Sequence, residues 1–321
     1  MFLLILKIYL IFLAHTDIVL SDTVQPYFSK IHGGYYKGGI DNNIIDDISN
    51  AKSDIKMAMY YLTNKNITKA LLNAKSRGIN IEILTDDSKI KSKRYKSLIN
   101  HGISIRDDED KKALMHNKIL IIDNNLTWIS SGNYTVYAFY RNYDNYVRIN
   151  DDEIGDYYSK KFKNLYEHNQ SKLKPYINNN LEIYFSKDTN IENIIIQNID
   201  KAKKSLYVMM FAFTNKNIAT ALVKAKNRGV EVKVILDKVQ HRFQRKYSVY
   251  KYLKDNNIDI KFDKNRFKLH NKVLIIDNKI VITGSYNYTK RANIYNDENI
   301  LIIKDKNITQ QYISDFNRVN K

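Results

Sequence analysis

Two stretches of the 321-residue chain occur twice, and this internal repeat constrains the fold more than any other feature. Segment 63–78, TNKNITKALLNAKSRG, returns as segment 214–229, TNKNIATALVKAKNRG, with 11 of 16 positions identical. Segment 115–124, MHNKILIIDN, returns as segment 269–278, LHNKVLIIDN, with eight of ten positions identical. A repeat at a fixed offset indicates that the same structural unit is built twice.

Each half of the chain alternates strand-like and helix-like segments. In the first half, Ile55–Tyr61 is an apolar, β-prone run, and Ile67–Lys75 has helical spacing followed by an Arg-Gly stop. Ile119–Ile122 is a short apolar run, typical of a strand covered on both faces. This alternation predicts an α/β fold with a mixed sheet flanked by helices in each half. The predicted domains are residues 24–170 and 181–321.

The connection between the halves is the polar stretch 171–180, which contains Pro175. Two near-identical domains in one chain can pack about a pseudo-two-fold axis, so that equivalent residues meet as in an isologous dimer. We therefore expect a monomer that contains an internal pseudo-dimer.

The chain begins with an apolar segment. Phe2 to Ala14 are apolar except for Lys7, and the stretch is shorter than the roughly 20 residues that span a bilayer. Val19-Leu20-Ser21 follows, a sequence that suits cleavage after Ser21. We expect residues 1–21 to be a signal peptide that exports the protein, to the periplasm or the outside. The alternative is an uncleaved N-terminal membrane anchor.

Composition excludes some chemistries and favours one kind of partner. The chain has no cysteine, which excludes disulfides, thiolate metal sites, iron–sulfur clusters and cysteine nucleophiles. It has 52 basic and 34 acidic residues, a net charge of +18. Residues 181–321 hold 27 basic and 14 acidic residues, which leaves +13 of that excess in the second half. A charge of this size indicates a polyanionic partner, either nucleic acid or an anionic membrane surface.

One constellation of polar residues occurs in both copies of the repeat, with the spacing H-x-K-x4-D-x7-S-x-N. Its members are His116, Lys118, Asp123, Ser131 and Asn133, and then His270, Lys272, Asp277, Ser285 and Asn287. Residues i and i+2 of a strand share a face, so each His and Lys point together. The Asp-Asn pair predicts a turn, which the Asp would hold by local hydrogen bonds. The returning strand then brings Ser and Asn beside the His–Lys pair, making a site for a phosphate-like oxyanion.

These motifs resemble the phospholipase D superfamily, the HKD phosphodiesterases, over nearly all of the chain after the N-terminal segment. The sequence around the motifs is most similar to the branch that contains bacterial HKD endonucleases and mitochondrial cardiolipin hydrolases (Zucchini proteins). The resemblance implies one active site where the halves meet. One His would form a phosphohistidine, and the other would protonate the leaving oxygen and then activate water. The two Lys and two Asn would bind the non-bridging oxygens, and neither a metal nor a cofactor would be needed.

The resemblance also implies an acidic residue that orients a catalytic His. Glu298 lies at that place, and Asp144 lies 154 residues earlier in the first half. A carboxylate on an imidazole nitrogen fixes the tautomer and stabilises the imidazolium. One position departs from the family pattern, because Gly284 in the second half corresponds to Ser130 in the first. Since Gly permits a close backbone approach or a positive φ, we expect Ser130 to distort its half-site slightly.

Basic residues interleaved with aromatic ones occur at matching places in both halves, in segments 89–96 and 241–247. We expect four of them to bind substrate: Lys93, Arg94, Arg242 and Arg245. The pattern suits single-stranded nucleic acid, where cations meet phosphates and rings stack on bases. It suits an anionic lipid surface nearly as well.

Three functions fit the sequence. The first is a metal-independent nuclease on DNA or RNA. The second is a phospholipase D that hydrolyses or transfers phosphatidyl groups of lipids such as cardiolipin. The third is an inactive nucleic-acid- or membrane-binding module, against which the two intact H-x-K pairs argue. The identity of the nucleophilic His and the choice between DNA and RNA stay open.

Overall fold

The computed structural model describes residues 20–32, 38–169 and 171–321. The expected export segment, 1–21, lies outside the described residues except for its last two, whose backbone belongs to a short helix. In the part of the chain that is described, no helix is long and apolar enough to cross a membrane.

The elements of the first half follow one another in the predicted αβ alternation. They are α1 (Leu20–Thr23), β1 (Val24–Phe28), α2 (Ile40–Asn50), β2 (Asp54–Met59), α3 (Lys65–Ser76), β3 (Asn80–Thr85), α4 (Lys93–Asn100), β4 (Ser104–Asp107), β5 (Lys118–Ile122), β6 (Leu126–Ser130), α5 (Val136–Tyr140), β7 (Asn145–Asn150) and α6 (Asp152–Tyr166).

The second half repeats this order from β1 onward, with an additional strand at its start and two consecutive helices in place of α4. Its elements are β8 (Tyr176–Ile177), β9 (Leu181–Phe185), α7 (Ile191–Lys201), β10 (Ser205–Met210), α8 (Lys216–Asn227), β11 (Glu231–Leu236), α9 (Lys238–Phe243), α10 (Tyr250–Asp255), β12 (Asp259–Phe262), β13 (Lys272–Ile276), β14 (Ile280–Gly284), α11 (Lys290–Ile294), β15 (Asn299–Ile303) and α12 (Lys306–Asn320). Strand β8 lies in the predicted connection 171–180 and pairs with β9.

Each half builds one mixed sheet, which confirms the predicted fold class. The first sheet has the order β1-β7-β6-β5-β2-β3-β4, and the second has β12-β11-β10-β13-β14-β15-β9-β8. Read in reverse, the second order is the first with β8 added. Strands β2, β3 and β4 are parallel to one another, as are β10, β11 and β12, whereas the other pairs are antiparallel.

The repeated sequence specifies its helix by capping at both ends. The side chain of Asn64 accepts hydrogen bonds from the N–H groups at the start of α3, and Asn215 does the same for α8. Gly78 and Gly229 follow the two helices, and each has a φ of 90°. Only Gly adopts this conformation without steric cost, so the Arg-Gly stop ends both helices at the same place.

Asp123 and Asp277 lie in tight hairpin turns, but the predicted local hydrogen bonds are wrong. Both residues have a φ of 54°, as the β5–β6 and β13–β14 turns require. The carboxylate of Asp123 accepts from the N–H groups of residues 52–54, at 2.7–3.2 Å, and that of Asp277 accepts from residues 203–205, at 2.6–3.1 Å. Each Asp therefore ties its hairpin to the start of a strand about 70 residues earlier.

Three hydrophobic cores separate the layers. One packs α2, α3 and α4 on the outer face of the first sheet, and one packs α7, α8 and α10 on the outer face of the second. The third lies between the sheets and contains side chains from both halves, including Ile121, Tyr158, Ile275 and Tyr312. Because β5 and β13 are buried on both faces, the residues that precede them are held rigidly where the halves meet.

Candidate active site where the two halves meet

The residues just before β5 and β13 are joined across the interface by backbone hydrogen bonds. The N–H of His116 donates to the carbonyl of Asp297, at 3.0 Å, and the N–H of His270 donates to the carbonyl of Tyr143, at 2.8 Å. Tyr143 and Asp297 each precede one of the predicted orienting carboxylates. Each half therefore delivers its His beside the carboxylate of the other half.

The two His–carboxylate pairs are crossed between the halves. Nδ1 of His116 lies 2.8 Å from Oε2 of Glu298, and Nδ1 of His270 lies 2.9 Å from Oδ1 of Asp144. All four side chains are buried. With Nδ1 held by a carboxylate, Nε2 is the ring nitrogen left to meet a substrate. This is the arrangement that orients an imidazole for nucleophilic or acid–base work.

Ser131 and Ser285 hold the carboxylates rather than extend the oxyanion site as the spacing suggested. The hydroxyl of Ser131 donates to Oδ1 of Asp144, at 2.7 Å, and that of Ser285 donates to Oε2 of Glu298, at 2.6 Å. Each hydroxyl also accepts from a backbone N–H, at 3.0 Å. The serines are therefore positioning residues, because they act on the His through its carboxylate.

Lys118 and Lys272 are buried ammonium groups that converge from the two halves. Each donates to the backbone carbonyl of the His two residues earlier, at 2.5 Å for Lys272. Burial lowers the pKa of Lys118 to about 7 and that of Lys272 to about 8, against the attraction of the two carboxylates. An anion bound between the lysines would restore their charge, which is the electrostatic requirement of a phosphate site.

The imidazoles are held largely uncharged. Burial, with help from Lys272, lowers the pKa of His270 to about 4. Burial also lowers the pKa of His116, although Glu298 works in the opposite direction. Burial alone would raise the pKa of Glu298, but His116 and Lys118 together hold it below its ordinary value. At neutral pH the centre therefore holds ionised Glu298 beside neutral imidazoles, one of which a bound anion can help to protonate.

Asn133 and Asn287 carry side-chain oxygens that lack protein partners. Oδ1 of each is buried and accepts no hydrogen bond from the described residues. Each Asn lies two residues after the serine that holds a carboxylate, just after the returning strand. Their amides are therefore available to a ligand, together with the two lysines.

Asn117 and Asn271, which the strand period directs away from the His–Lys face, join the halves. Nδ2 of Asn299 donates to Oδ1 of Asn117, at 2.7 Å, and Nδ2 of Asn145 donates to Oδ1 of Asn271, at 2.9 Å. All four amides are buried. A buried pair of this kind holds the register of an interface, because sliding would leave both amides unsatisfied.

Aromatic residues that the sequence reasoning missed form walls beside both histidines. Tyr60 contacts His116 edge-on, with ring centroids 5.5 Å apart, and Phe211 contacts His270 at 4.7 Å. Lys89 lies over the ring of Tyr60, at 5.2 Å, and Lys268 lies over that of Phe211, at 5.4 Å. The repeat held a usable signal, because Tyr60 and Phe211 occupy matching positions after β2 and β10.

The role of the four predicted substrate-binding residues stays a prediction. Lys93 lies in a shallow basic pocket with Lys91 and Lys96 and begins α4, and Arg94 is the second residue of that helix. Arg242 and Arg245 are exposed around the end of α9. None of the contacts among the described residues joins these four to the histidines. The cations that do approach the site are Lys89 and Lys268.

Gly284 and Ser130 differ as expected in backbone conformation. Gly284 has a φ of 139°, and a Cβ placed there would lie 2.4 Å from the carbonyl oxygen of Asn299. Ser130 does not have a positive φ. Its hydroxyl donates a hydrogen bond to the carbonyl of Gly132, at 2.7 Å. The crossed contacts are present in both halves, so the substitution leaves this geometry intact.

Asp86, Asp87 and Asp108 form a group of three carboxylates that could meet around a cation among the described residues. Asp86 already accepts from the N–H groups of Ser88 and Met115, and Asp108 accepts from the N–H of Asp87. Burial raises the pKa of Asp108 to about 7. These hydrogen bonds fix the loop after β3 and attach it to Met115, the residue before His116. We therefore interpret the three carboxylates as structural.

Comparison with known proteins agrees with this geometry. The family model described as "Cardiolipin synthase, PLD-like domain" matches residues 44–166 and 195–320. The chain is 35% identical to a phospholipase D of Rickettsia typhi over 137 residues, which are 43% of this chain and 66% of that protein. It is 32% identical to a mitochondrial cardiolipin hydrolase of Canis lupus familiaris over 118 residues, 37% of this chain and 46% of that one. The match thus spans slightly under two thirds of the Rickettsia protein and about half of the other relative.

The fold is also found in solved structures. A phosphatidylserine synthase of Haemophilus influenzae Rd KW20 aligns with a TM-score of 0.67 and 13% identity, over 94% of this chain and 86% of that one. At this identity the match concerns the fold alone.

Proposed function

The chain belongs to the phospholipase D-like family, and from this premise we propose that it is a phosphodiesterase with one active site built by both halves. The observation that carries the proposal is the pair of crossed His–carboxylate contacts, at 2.8 and 2.9 Å, around two buried lysines. A phosphodiester has one negative charge and needs a nucleophile on one side of phosphorus and an acid on the other. Two oriented imidazoles and two ammonium groups supply these parts.

The reaction proceeds in two displacements. Nε2 of one His attacks phosphorus, while the other His, as imidazolium, gives its proton to the departing oxygen. This leaves a phosphohistidine, the first product as an alcohol, and a neutral second imidazole. That imidazole then takes a proton from water, and the resulting hydroxide displaces the first His from phosphorus. Lys118, Lys272 and the amides of Asn133 and Asn287 stabilise the non-bridging oxygens in both steps.

Nucleic acid is the substrate that we propose first. Cations lie over aromatic rings on both sides of the site, Lys89 over Tyr60 and Lys268 over Phe211. Tyr60 and Phe211 are partly exposed, and positive charge combined with accessible rings is what single-stranded nucleic acid binds. The net charge of +18, most of it in the second half, provides long-range attraction for such a polyanion.

A phospholipid is the second candidate, and a separate surface supports it. Phe243 is 83% exposed and Tyr247 is 66% exposed, beside the exposed Arg242 and Arg245. Aromatic side chains among cations suit the interface of an anionic bilayer. The relatives named phospholipase D and mitochondrial cardiolipin hydrolase point in the same direction.

One experiment tests the activity and separates the candidates. The purified protein is given single-stranded DNA, single-stranded RNA and cardiolipin liposomes in parallel, all with EDTA. We expect cleavage of nucleic acid, and a loss of at least about 10⁴-fold in kcat in His116→Ala and in His270→Ala. The matched control is His101→Ala, because His101 is exposed on the end of α4. Cleavage of lipid alone would favour the second candidate, and near-normal turnover by either active-site variant would exclude the composite site.

A further inference from the structure

A cavity of about 610 Å³ adjoins the catalytic centre on the His270 side. His270 and Asn133 form part of its wall, so the cavity is continuous with the place where phosphate would bind. Its outer walls come from both halves, Tyr137 from α5 and Phe267 from the loop before His270. The volume lies within the range of pockets that hold small organic groups.

The outer walls of the cavity combine aromatic rings with cations. Tyr137 and Phe267 contact edge to face, with centroids 5.9 Å apart, and Tyr137 is nevertheless 53% exposed. The guanidinium of Arg141 lies 4.5 Å from the ring centroid of Tyr137, and that of Arg266 lies 4.9 Å from Phe267. Lys268 stands at the junction with the catalytic centre, over Phe211. Phe267 is partly exposed, so the pair of rings offers a planar group a surface to stack on.

The repeat supplies an internal control, because the equivalent positions on the His116 side have none of these rings. Arg291 stands where the first half has Tyr137, and Ala113 stands where the second half has Phe267. Leu114 replaces Lys268. The proposed chemistry at phosphorus uses equivalent residues from both halves. We therefore assign a feature that is present on only one side to the selection of the group that binds there.

The floor of the cavity carries an amide without a full set of partners. Asn142 lines the cavity and is 7% exposed, and its Oδ1 accepts no hydrogen bond from the described residues. The equivalent amide, Asn296, is fully engaged: its Oδ1 accepts from the N–H of Leu114 and its Nδ2 donates to Glu298. A buried amide oxygen left unpaired is costly, so the floor of this cavity favours a ligand with a polar edge.

We propose that this cavity is a nucleobase subsite, which takes the base next to the scissile phosphate of a single-stranded nucleic acid. The base stacks on the Tyr137–Phe267 pair with its polar edge toward Asn142, and Lys268 contacts the adjoining phosphate. The proposal rests on the proposed nuclease function. It adds that the base is recognised on the His270 side of the active site. A hydrocarbon chain fits less well, because it would bury the amide of Asn142 with nothing to bond to.

The test uses short single-stranded oligonucleotides in which one base at a time is replaced by an abasic residue. The full-length protein should cleave the abasic substrate about tenfold more slowly in kcat/KM at one position beside the cut, and near-normally at the others. The double variant Tyr137→Ala/Phe267→Ala should lose this discrimination while still cleaving the abasic substrate at the wild-type rate. Tyr137→Trp should keep the discrimination, because it keeps a ring at the same place.

Tyr295→Ala is the matched control, since Tyr295 is 49% exposed on the His116 side. It should leave the discrimination unchanged. Equal cleavage of normal and abasic substrates by the wild type would overturn the subsite and leave the nuclease function standing. Failure to cleave any oligonucleotide would instead overturn the nuclease function. If the double variant loses cleavage of cardiolipin liposomes but not of oligonucleotides, the cavity serves a lipid and the proposal is wrong.

Discussion

The two halves of the molecule are alike where bonds would be made and broken, and they differ where a substrate would be recognised. His116 and His270 have the same kind of partner at nearly the same distance, and Lys118 and Lys272 donate to equivalent carbonyls. Around them the pattern diverges. The His270 side has the Tyr137–Phe267 pair and Lys268, whereas the equivalent positions on the His116 side are Arg291, Ala113 and Leu114.

This difference separates the requirements of bond cleavage from those of substrate recognition. The proposed in-line displacement at phosphorus uses an imidazole on each side, and the symmetry of the centre suits that reaction. Binding one polymer in one direction requires no symmetry. A chain with two fused repeats can keep a symmetric catalytic centre while its substrate-binding surfaces become different. In a dimer of identical chains, any substitution would change both sides at once.

Breaking the crossed pairs should have the largest effect. Asp144→Asn and Glu298→Gln each replace a carboxylate by a neutral amide, which loses the stabilisation of an imidazolium and the control of its tautomer. We expect kcat to fall about 10³- to 10⁴-fold in each variant. Nitrogen-15 NMR of the imidazoles should show that Asp144→Asn perturbs His270, in the other half. A perturbation confined to His116 would contradict the crossing.

Exchanging the residues at positions 130 and 284 should affect stability unequally. Gly284→Ser forces a side chain into a positive-φ position and against the carbonyl of Asn299, so we expect a loss of about 3 kcal/mol in the free energy of unfolding. Ser130→Gly removes one hydrogen bond to Gly132 and should cost about 1 kcal/mol. Urea denaturation measures both. Equal midpoints for the two variants would show that the halves have the same backbone at this place.

The alkaline limb of the pH profile should report the two lysines. Their pKa values of about 7 and 8 mean that the ammonium forms predominate below those pH values and are lost as pH rises through them. Because the proposed substrate is an anion, kcat/KM should fall about tenfold for each pH unit once the first lysine has lost its proton, and about a hundredfold for each unit once both have. The measurement is kcat/KM from pH 5 to 10. A plateau that extends to pH 10 would mean that the lysines are not desolvated.

The sequence predicted the sheet-and-helix plan and the residues that the structure brings together around the two histidines, because both recur at offsets of 151 to 154 residues. It did not predict which half's carboxylate serves which His, since spacing within a half says nothing about contacts between halves. Ser131 and Ser285 were assigned to the substrate because their hydroxyls suit an oxyanion, and only the fold shows that a carboxylate lies closer. The wall made by Tyr137 and Phe267 has no echo in the repeat and joins residues 130 positions apart, so no local pattern could indicate it.

The crossing of the carboxylates also bears on when the protein can act. His116 receives its partner from Glu298, which lies 182 residues later in the sequence. A chain still emerging from the ribosome has no oriented His116, and the Asp144 that it already holds has no His270 to serve. A chain that has been synthesised only through its first half lacks both crossed pairs, so we expect the centre to form only after the second half has folded against the first.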